Sequence, residues 1–233
     1  MAVTRTGSVT TIQTASQTGS QSVTVPNDAE IMIVKIAGEL EGSYISDGTY
    51  TLNSQSLTSI FTEVADATDI AYKVSPSTGS QTFAWDLGSA PAFGNDFFEI
   101  SFYKGIDSSP IGATAYALWG DNIDTANTGE MTVASGDAVV AIAWILSVGD
   151  PLASSADWTN ATEVSDETWA MGVFSGTEAF PSGNVTITVA QNGGQAENNF
   201  VQLMAAVIKQ SSSGGGAIKN IMQYRVLLSS GDF

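Results

Sequence analysis

Short runs of Val, Ile, Thr and aromatic residues recur along this chain about every ten residues, each bounded by Gly, Ser, Asn, Asp or Pro. Nowhere do charged and apolar residues alternate at helical spacing for three turns. That is the pattern of a sandwich or barrel, and the fold expected from it is all-β, an antiparallel β-sandwich of jelly-roll-like type. Strands are expected near Val9–Gln13, Gln21–Val25, Ala29–Gly38, Thr49–Leu57, Ser59–Val64, Ala71–Pro76, Thr82–Leu87 and Phe97–Ile106. They continue near Ala113–Trp119, Glu130–Val133, Asp137–Leu146, Thr168–Ser175, Asn184–Ala190, Asn199–Gln210 and Ile218–Leu228, with one helical turn around Pro151–Asp157. These are more segments than one sandwich usually holds, so some are expected to be edge pieces or loops.

Two kinds of strand can be told apart. "QSVTV" alternates, with Val23 and Val25 on one face, as a half-buried strand does. "IMIV" (Ile31–Val34) and "AVVAIAWIL" (Ala138–Leu146) are apolar on both faces and should lie centrally, covered twice. Lys35, Lys104 and Lys209 fall within or at the end of such runs and read as snorkelling or edge-protecting lysines.

There is an internal echo. "TVPNDAEIMIV" (Thr24–Val34) and "TVASGDAVVAI" (Thr132–Ile142) both run Thr-Val, turn, Asp-Ala, apolar strand. Either turn chemistry selected the same residues twice, or the chain holds two similar half-domains. The expected organisation is a sandwich over 1–210, with halves of about 8–120 and 121–210 as the divided form. A linker "SSSGGG" (211–216) and a C-terminal segment (217–233) follow. Ile218, Ile221, Tyr224, Val226, Leu227 and Leu228 make that segment apolar enough either to close the sandwich or to reach a partner subunit.

The chain has no Cys, which removes disulfides, thiolate metal sites and cysteine nucleophiles. It also has no His, which removes the usual general base and every Ser-His or Cys-His arrangement. Net charge is −17, and it arises from having only 7 Lys and Arg against 24 Asp and Glu. Such a field repels phosphate backbones and anionic lipid, so nucleic acid is not an expected partner. The longest apolar run is far below the ~20 residues that span a bilayer, so no membrane insertion is expected. The N-terminal stretch shows no signal-peptide core, and the chain reads as soluble without an export signal.

Carboxylates are the remaining acids and bases. A glycosidase needs two of them across a scissile bond. Glu99, Asp107, Glu163, Asp166 and Glu167 sit near strand ends, but no spacing selects a pair, and no catalytic residue is assigned. "DNIDTANTGE" gathers Asp121, Asn122, Asp124, Asn127 and Glu130, oxygen donors of the kind Ca²⁺ takes, without the order of an EF-hand loop. No other cofactor is expected. Trp119 and Trp158 adjoin polar loops and are the candidates for stacking on sugar, whereas Trp144 lies inside an apolar run and reads as core. "EISFYKGIDSSPIG" (Glu99–Gly112) reads as a strand that leaves through a turn at Asp107–Pro110, since nothing here would activate Ser108 or Ser109.

The order of segments from Ser8 to Gln210 resembles a β-sandwich found in virion proteins of tailed bacteriophages. The residues that carry the resemblance are "SVTVPNDAEIMIVKIAG", "YTLNSQSLT" and "FAWDLGSAPAFGNDFFEISFYKGIDSSPIG", then "MTVASGDAVVAIAWI", "GNVTITVA" and "FVQLMAAVIKQ". The resemblance implies a non-enzymatic virion component, a head decoration or part of a tail appendage. Its partners would be further copies of itself and other virion proteins, and its location the extracellular particle. It carries no catalytic residue onto this chain. The alternatives are a tail-fibre module that binds a host-surface glycan and a carboxylate-dependent depolymerase.

Overall fold

A computed structural model of the chain describes residues 1–38, 45–61, 67–88, 96–117, 125–147, 155–169, 172–192 and 199–212. The first half contains β1 (Thr4–Thr14), β2 (Thr18–Val25), β3 (Ile31–Ala37), β4 (Thr49–Leu52), β5 (Gln55–Ser56), β6 (Thr58–Ser59), β7 (Thr68–Val74), β8 (Gly79–Asp86) and β9 (Asp96–Lys104). They form two sheets, ordered β1-β9-β3-β7-β6 and β2-β8-β4-β5. The second half contains β10 (Ile106–Ala117), β11 (Thr125–Asn127), β12 (Met131–Val133), β13 (Ala138–Ser147), β14 (Ser155–Thr159), β15 (Thr162–Trp169), β16 (Gly172–Ala179), β17 (Gly183–Val185), β18 (Thr188–Asn192) and β19 (Asn199–Gln210). Its five-stranded sheet runs β10-β19-β13-β16-β15, with β11-β18-β14 and β12-β17 forming the opposing layer.

The two halves are wound alike. With β10 standing for β1, β19 for β9, β13 for β3, β16 for β7 and β15 for β6, the five-stranded sheets have one order. The opposing layers also correspond, β11 and β12 together taking the place of β2, and β17 and β18 that of β8. Each half is therefore an antiparallel jelly roll. The Thr-Val echo falls at the same corner in both, the turn that leads into the central strand of the inner sheet. The turnover between halves is at Gly105, inside the stretch that the sequence reading assigns to the first half.

The layers stack four deep, with the five-stranded sheets back to back in the middle. Val23, Phe83 and Trp85 of the first outer sheet pack on Met32, Val34 and Phe98. On the other side, Val133, Val185 and Val189 pack on Val139, Val173 and Leu203. Between the inner sheets, Ile31, Ile33 and Phe97 meet Val140, Trp144 and Met204. This is why β3 and β13 carry no polar alternation: both of their faces are covered, and all residues of β3 are buried. Each large apolar side chain removed from water there contributes about 1.5–3 kcal/mol.

The inner sheets meet about a pseudo-two-fold axis. β3 lies against β13, β7 against β19, and at the position equivalent to the latter β9 faces β16 through larger side chains. Matching Ala37 to Trp144 makes the Phe97–Phe174 and Gln202–Thr68 contacts exchange under that axis. Ala37 is opposite both Thr68 and Phe97, and Trp144 is opposite both Phe174 and Gln202, so by this match Phe97 is equivalent to Gln202 and Thr68 to Phe174. At one of these sites Phe97 stacks on Phe174, with ring centroids 5.6 Å apart and planes 2° apart. At the other, Thr68 Oγ1 and the Ala67 N–H donate to Gln202 Oε1 at 3.1 and 3.0 Å. The same joint is aromatic on one side and hydrogen-bonded on the other.

Several local expectations are corrected. Thr49–Leu57 is a hairpin and not one strand, because Asn53 and Ser54 both adopt positive φ (47° and 62°) and reverse the chain. The expected strand Thr168–Ser175 straddles two paired strands, β15 and β16. Ser155–Asp157, the described part of the expected helical turn, belongs to β14 and pairs with β18. The exit turn of "EISFYKGIDSSPIG" is at Gly105 and not Asp107–Pro110, which lie in β10. Gly105 has φ +78°, and a Cβ there would sit 2.4 Å from the Ala2 carbonyl oxygen. The expected strand Ile218–Leu228 lies outside the described residues.

Candidate functional site

The most concentrated chemistry is buried between the inner sheets. Lys35 and Glu99 stand directly opposite each other on β3 and β9, and both side chains are fully enclosed. Lys35 Nζ lies 2.5 Å from Glu99 Oε1 and donates to the Thr177 carbonyl at 2.9 Å. Ser101 Oγ donates to Glu99 Oε1 at 3.0 Å, and Ser165 Oγ of β15 donates to Oε2. Gly176 makes room for this carboxylate: a Cβ there would fall 1.8 Å from Glu99 Oε2. The network continues outward, with Ser175 Oγ donating to the Ser165 carbonyl at 3.2 Å and Trp158 Nε1 donating to Ser175 Oγ at 2.8 Å. Every oxygen of Glu99 is occupied and no solvent reaches it, so the group ties the two inner sheets together. Lys35 is thus neither a snorkelling nor an edge residue. A lone charge inside each of two mostly apolar runs, "IMIVKIAG" and "FFEISFY", is the sequence signal for such a pair.

Two open clefts lie around the joint between halves, and a third, of about 500 Å³, lies between β1 and β2 beside Gly7, Thr10 and Pro26. One of those at the joint, about 650 Å³, is lined by Ala2–Arg5, Ser135–Asp137, Glu178 and Phe180. Its polar groups are already engaged. Arg5 pairs with Glu178 at 3.3 Å, and Tyr103 donates to the other oxygen of Glu178 at 3.0 Å. Asp137 accepts from the Gln210 and Ala134 N–H groups at 2.8 and 3.2 Å. A neighbouring cleft of about 440 Å³ holds Asp28, Glu30 and Lys104. There Lys104 Nζ reaches Asp28 Oδ2 at 2.6 Å, and Thr6 Oγ1 donates to Oδ1 at 2.5 Å. These bonds hold the Asp28 carboxyl below its ordinary range. Glu30 Oε2 accepts from the N–H groups of Gly105 and Ile106 at 2.8 and 2.9 Å, clamping the turn between halves. Sequence reasoning missed Glu30, because its partners lie 75 and 76 residues away.

Two buried carboxylates stand apart. Asp69 and Asp96, on β7 and β9, are fully enclosed. Asp69 Oδ1 accepts from the Ile70 and Phe61 N–H groups, while its Oδ2 and both oxygens of Asp96 have no partner among the described residues. Burial raises Asp96 to about 7. It also raises Asp69 to about 6 against the pull of Ser59 and those N–H donors. Burial and the charges of Asp69, Asp96 and Asp47 push the Tyr50 hydroxyl well up, and that hydroxyl donates to the Ile45 carbonyl at 2.6 Å.

The candidate ligands for Ca²⁺ are only partly visible. Asn127 Oδ1 accepts from the Gly129 N–H at 3.0 Å, and Glu130 Oε1 accepts from Asn184 Nδ2 at 2.6 Å. Each serves its own turn or strand pair. Asp121, Asn122, Asp124 and Trp119 lie outside the described residues, as do Ile218, Ile221, Tyr224, Val226, Leu227 and Leu228. Among the described residues no three carboxylates gather in a way that could hold a metal ion. Trp158 is half-buried against the second outer core. Trp144 is fully buried. Asp107 accepts from the Ser109 N–H at 2.9 Å and from Ser108 Oγ at 3.4 Å, and the first of these chiefly holds its carboxyl below the usual range. Comparisons with protein-family models, with curated proteins and with solved structures each give no match to the chain.

Proposed function

We propose that this chain is a non-enzymatic structural module of a tailed-phage virion, decorating the head or forming part of a tail appendage, and working as a homo-oligomer on the extracellular particle. The observation that carries the proposal is what the polar groups around the clefts are doing. Arg5, Asp28, Glu30, Lys104, Asp137 and Glu178 all spend their charge on turns, on the joint between halves or on each other. An active site holds some charged groups in reserve for a substrate, whereas a scaffold uses them to hold itself rigid. Two jelly rolls sharing a dry four-layer core give a stiff block of the sort an assembly needs. The absence of Cys suits a particle exposed to oxidants.

The test is location. Antibodies raised against the recombinant protein are applied to purified particles of the phage that encodes it and viewed by electron microscopy. Labelling at repeated positions on head or tail is expected. Particles that stay unlabelled while the protein remains in the particle-free lysate refute the proposal. Binding to a glycan array that is lost in Trp158→Ala with the fold intact would favour a carbohydrate-binding role instead.

A further inference from the structure

Native sheets guard their edges with short strands, charges, proline or bulges, because an open edge can template a further strand. Among the described residues, all edge strands but one follow this rule. β1, β10 and β15 are broken by register shifts, and β10 also contains Pro110. β15 further carries Glu163, Asp166 and Glu167. β5 and β6 have two residues each, β11, β12 and β17 three each, and β14 five with Asp157 among them. β2 is the exception. It ends the first outer sheet, spans eight residues, and pairs with β8 without a shift from Thr18 to Val25. Its sequence, TGSQSVTV, has no charge and no proline.

The register identifies the backbone groups that lie open. The Leu87 N–H donates to the Gln17 carbonyl directly across from it, so these two residues form a hydrogen-bonded pair at the start of the β2–β8 ladder. Such pairs recur at every second residue, which commits the odd-numbered residues of β2 to β8. The N–H and C=O groups of Thr18, Ser20, Ser22 and Thr24 therefore point away from the sheet, and all four residues are exposed. No strand meets them among the described residues. The cleft of about 500 Å³ between β1 and β2 runs beside Ser22, Val23 and Thr24 and leaves that part of the edge accessible.

The strand that fits this edge is the same edge of a second copy. An antiparallel pairing with Ser20 opposite Ser22 also sets Thr18 opposite Thr24, and Gln21 opposite itself on a two-fold axis. It uses every open donor and acceptor of both strands. It also keeps Val23 and Val25 of both copies on the core side and the hydroxyl side chains on the other. Charge favours the same partner. At a net charge of −17 two copies repel each other over most of their surfaces, and β2 adds nothing to that repulsion. Asp86, the one charged residue of β8, lies opposite Thr18, so the pairing holds the two Asp86 carboxylates at opposite ends of the joint. We propose that β2 of one copy pairs antiparallel with β2 of a second, making the first outer sheets of the two copies continuous. The pairing deepens the homo-oligomer of the proposed function and rests on that part of it alone, since particle labelling decides separately whether the assembly belongs to a virion.

Sedimentation equilibrium on the full chain tests it. The wild type should dimerise. Ser22→Pro removes one outward N–H without touching the β2–β8 ladder and should weaken dimerisation roughly tenfold or more. Gln21→Glu and Gln21→Lys each set like charges face to face on the axis and should each weaken it to a similar degree. An equimolar mixture of those two variants should dimerise to within a few fold of the wild type, because the mixed pair brings opposite charges together. If Ser22→Pro perturbs folding, far-ultraviolet circular dichroism shows it, and the Gln21 variants still decide. A wild type that stays monomeric, dimerisation that survives Ser22→Pro with the fold intact, or a mixture no better than its components would each overturn the proposal.

Discussion

Asp96 should make the protein less stable as pH rises through neutrality. Its carboxyl is enclosed on β9 with neither oxygen partnered among the described residues, and burial raises it from an ordinary 3.8 to about 7. A raised folded-state value means that between those two pH values the folded chain holds a proton which the unfolded chain has lost. Stability is therefore greatest below pH 4 as far as this group is concerned. It falls as pH climbs toward 7 and levels off above it. The difference between the two values corresponds to about 4 kcal/mol at pH 8, at 1.36 kcal/mol per unit. Asp96→Asn keeps the shape and removes the charge. Urea unfolding followed by tryptophan fluorescence at pH 5, 6, 7 and 8 should show the variant close to wild type at pH 5. It should become more stable by up to about 4 kcal/mol at pH 8, less whatever the new amide loses by lacking partners, about 1–3 kcal/mol. Asp69→Asn should behave the same way over a window that ends near pH 6. A difference between Asp96→Asn and wild type that does not change with pH would refute the reasoning.

Two other substitutions test the buried network. Lys35→Met leaves the Glu99 carboxylate enclosed without its cation and should cost about 3–5 kcal/mol in urea unfolding, while Lys35→Met/Glu99→Leu should recover most of that loss. Gly176→Ala puts a methyl group where Glu99 Oε2 lies and should lower the melting temperature by several degrees.

The strands and the double covering of β3 and β13 could be read in the sequence, because burial on both faces removes alternation and leaves an unmistakable apolar run. The echo at Thr24–Val34 and Thr132–Ile142 marks the one corner where both halves use similar turn residues. The rest of the repeat has no such trace, since equivalent positions such as Phe97 and Gln202 carry unrelated side chains. The hairpin at Asn53-Ser54 was hidden because serine is a weak signal for positive φ, and β15 and β16 merged because the expected run Thr168–Ser175 spans their junction. Lys35 was misread for a different reason. Its nearest partners, Glu99 and Thr177, lie 64 and 142 residues away, so only the folded arrangement brings them together.

Glu99 resting over Gly176 also bears on what happens while the chain is being made. By register, Ile70 holds in the first half the place that Gly176 holds in the second. A newly synthesised first half that met another first half through the same face would drive Glu99 against Ile70, twice, with no Ser165 to receive it. Each carboxylate would keep Lys35 and Ser101 of its own half but lose the Ser165 hydroxyl that serves its second oxygen. The inner sheet of the first half therefore discriminates against its own kind and waits for the one surface, some residues later on the same chain, that leaves a space for it.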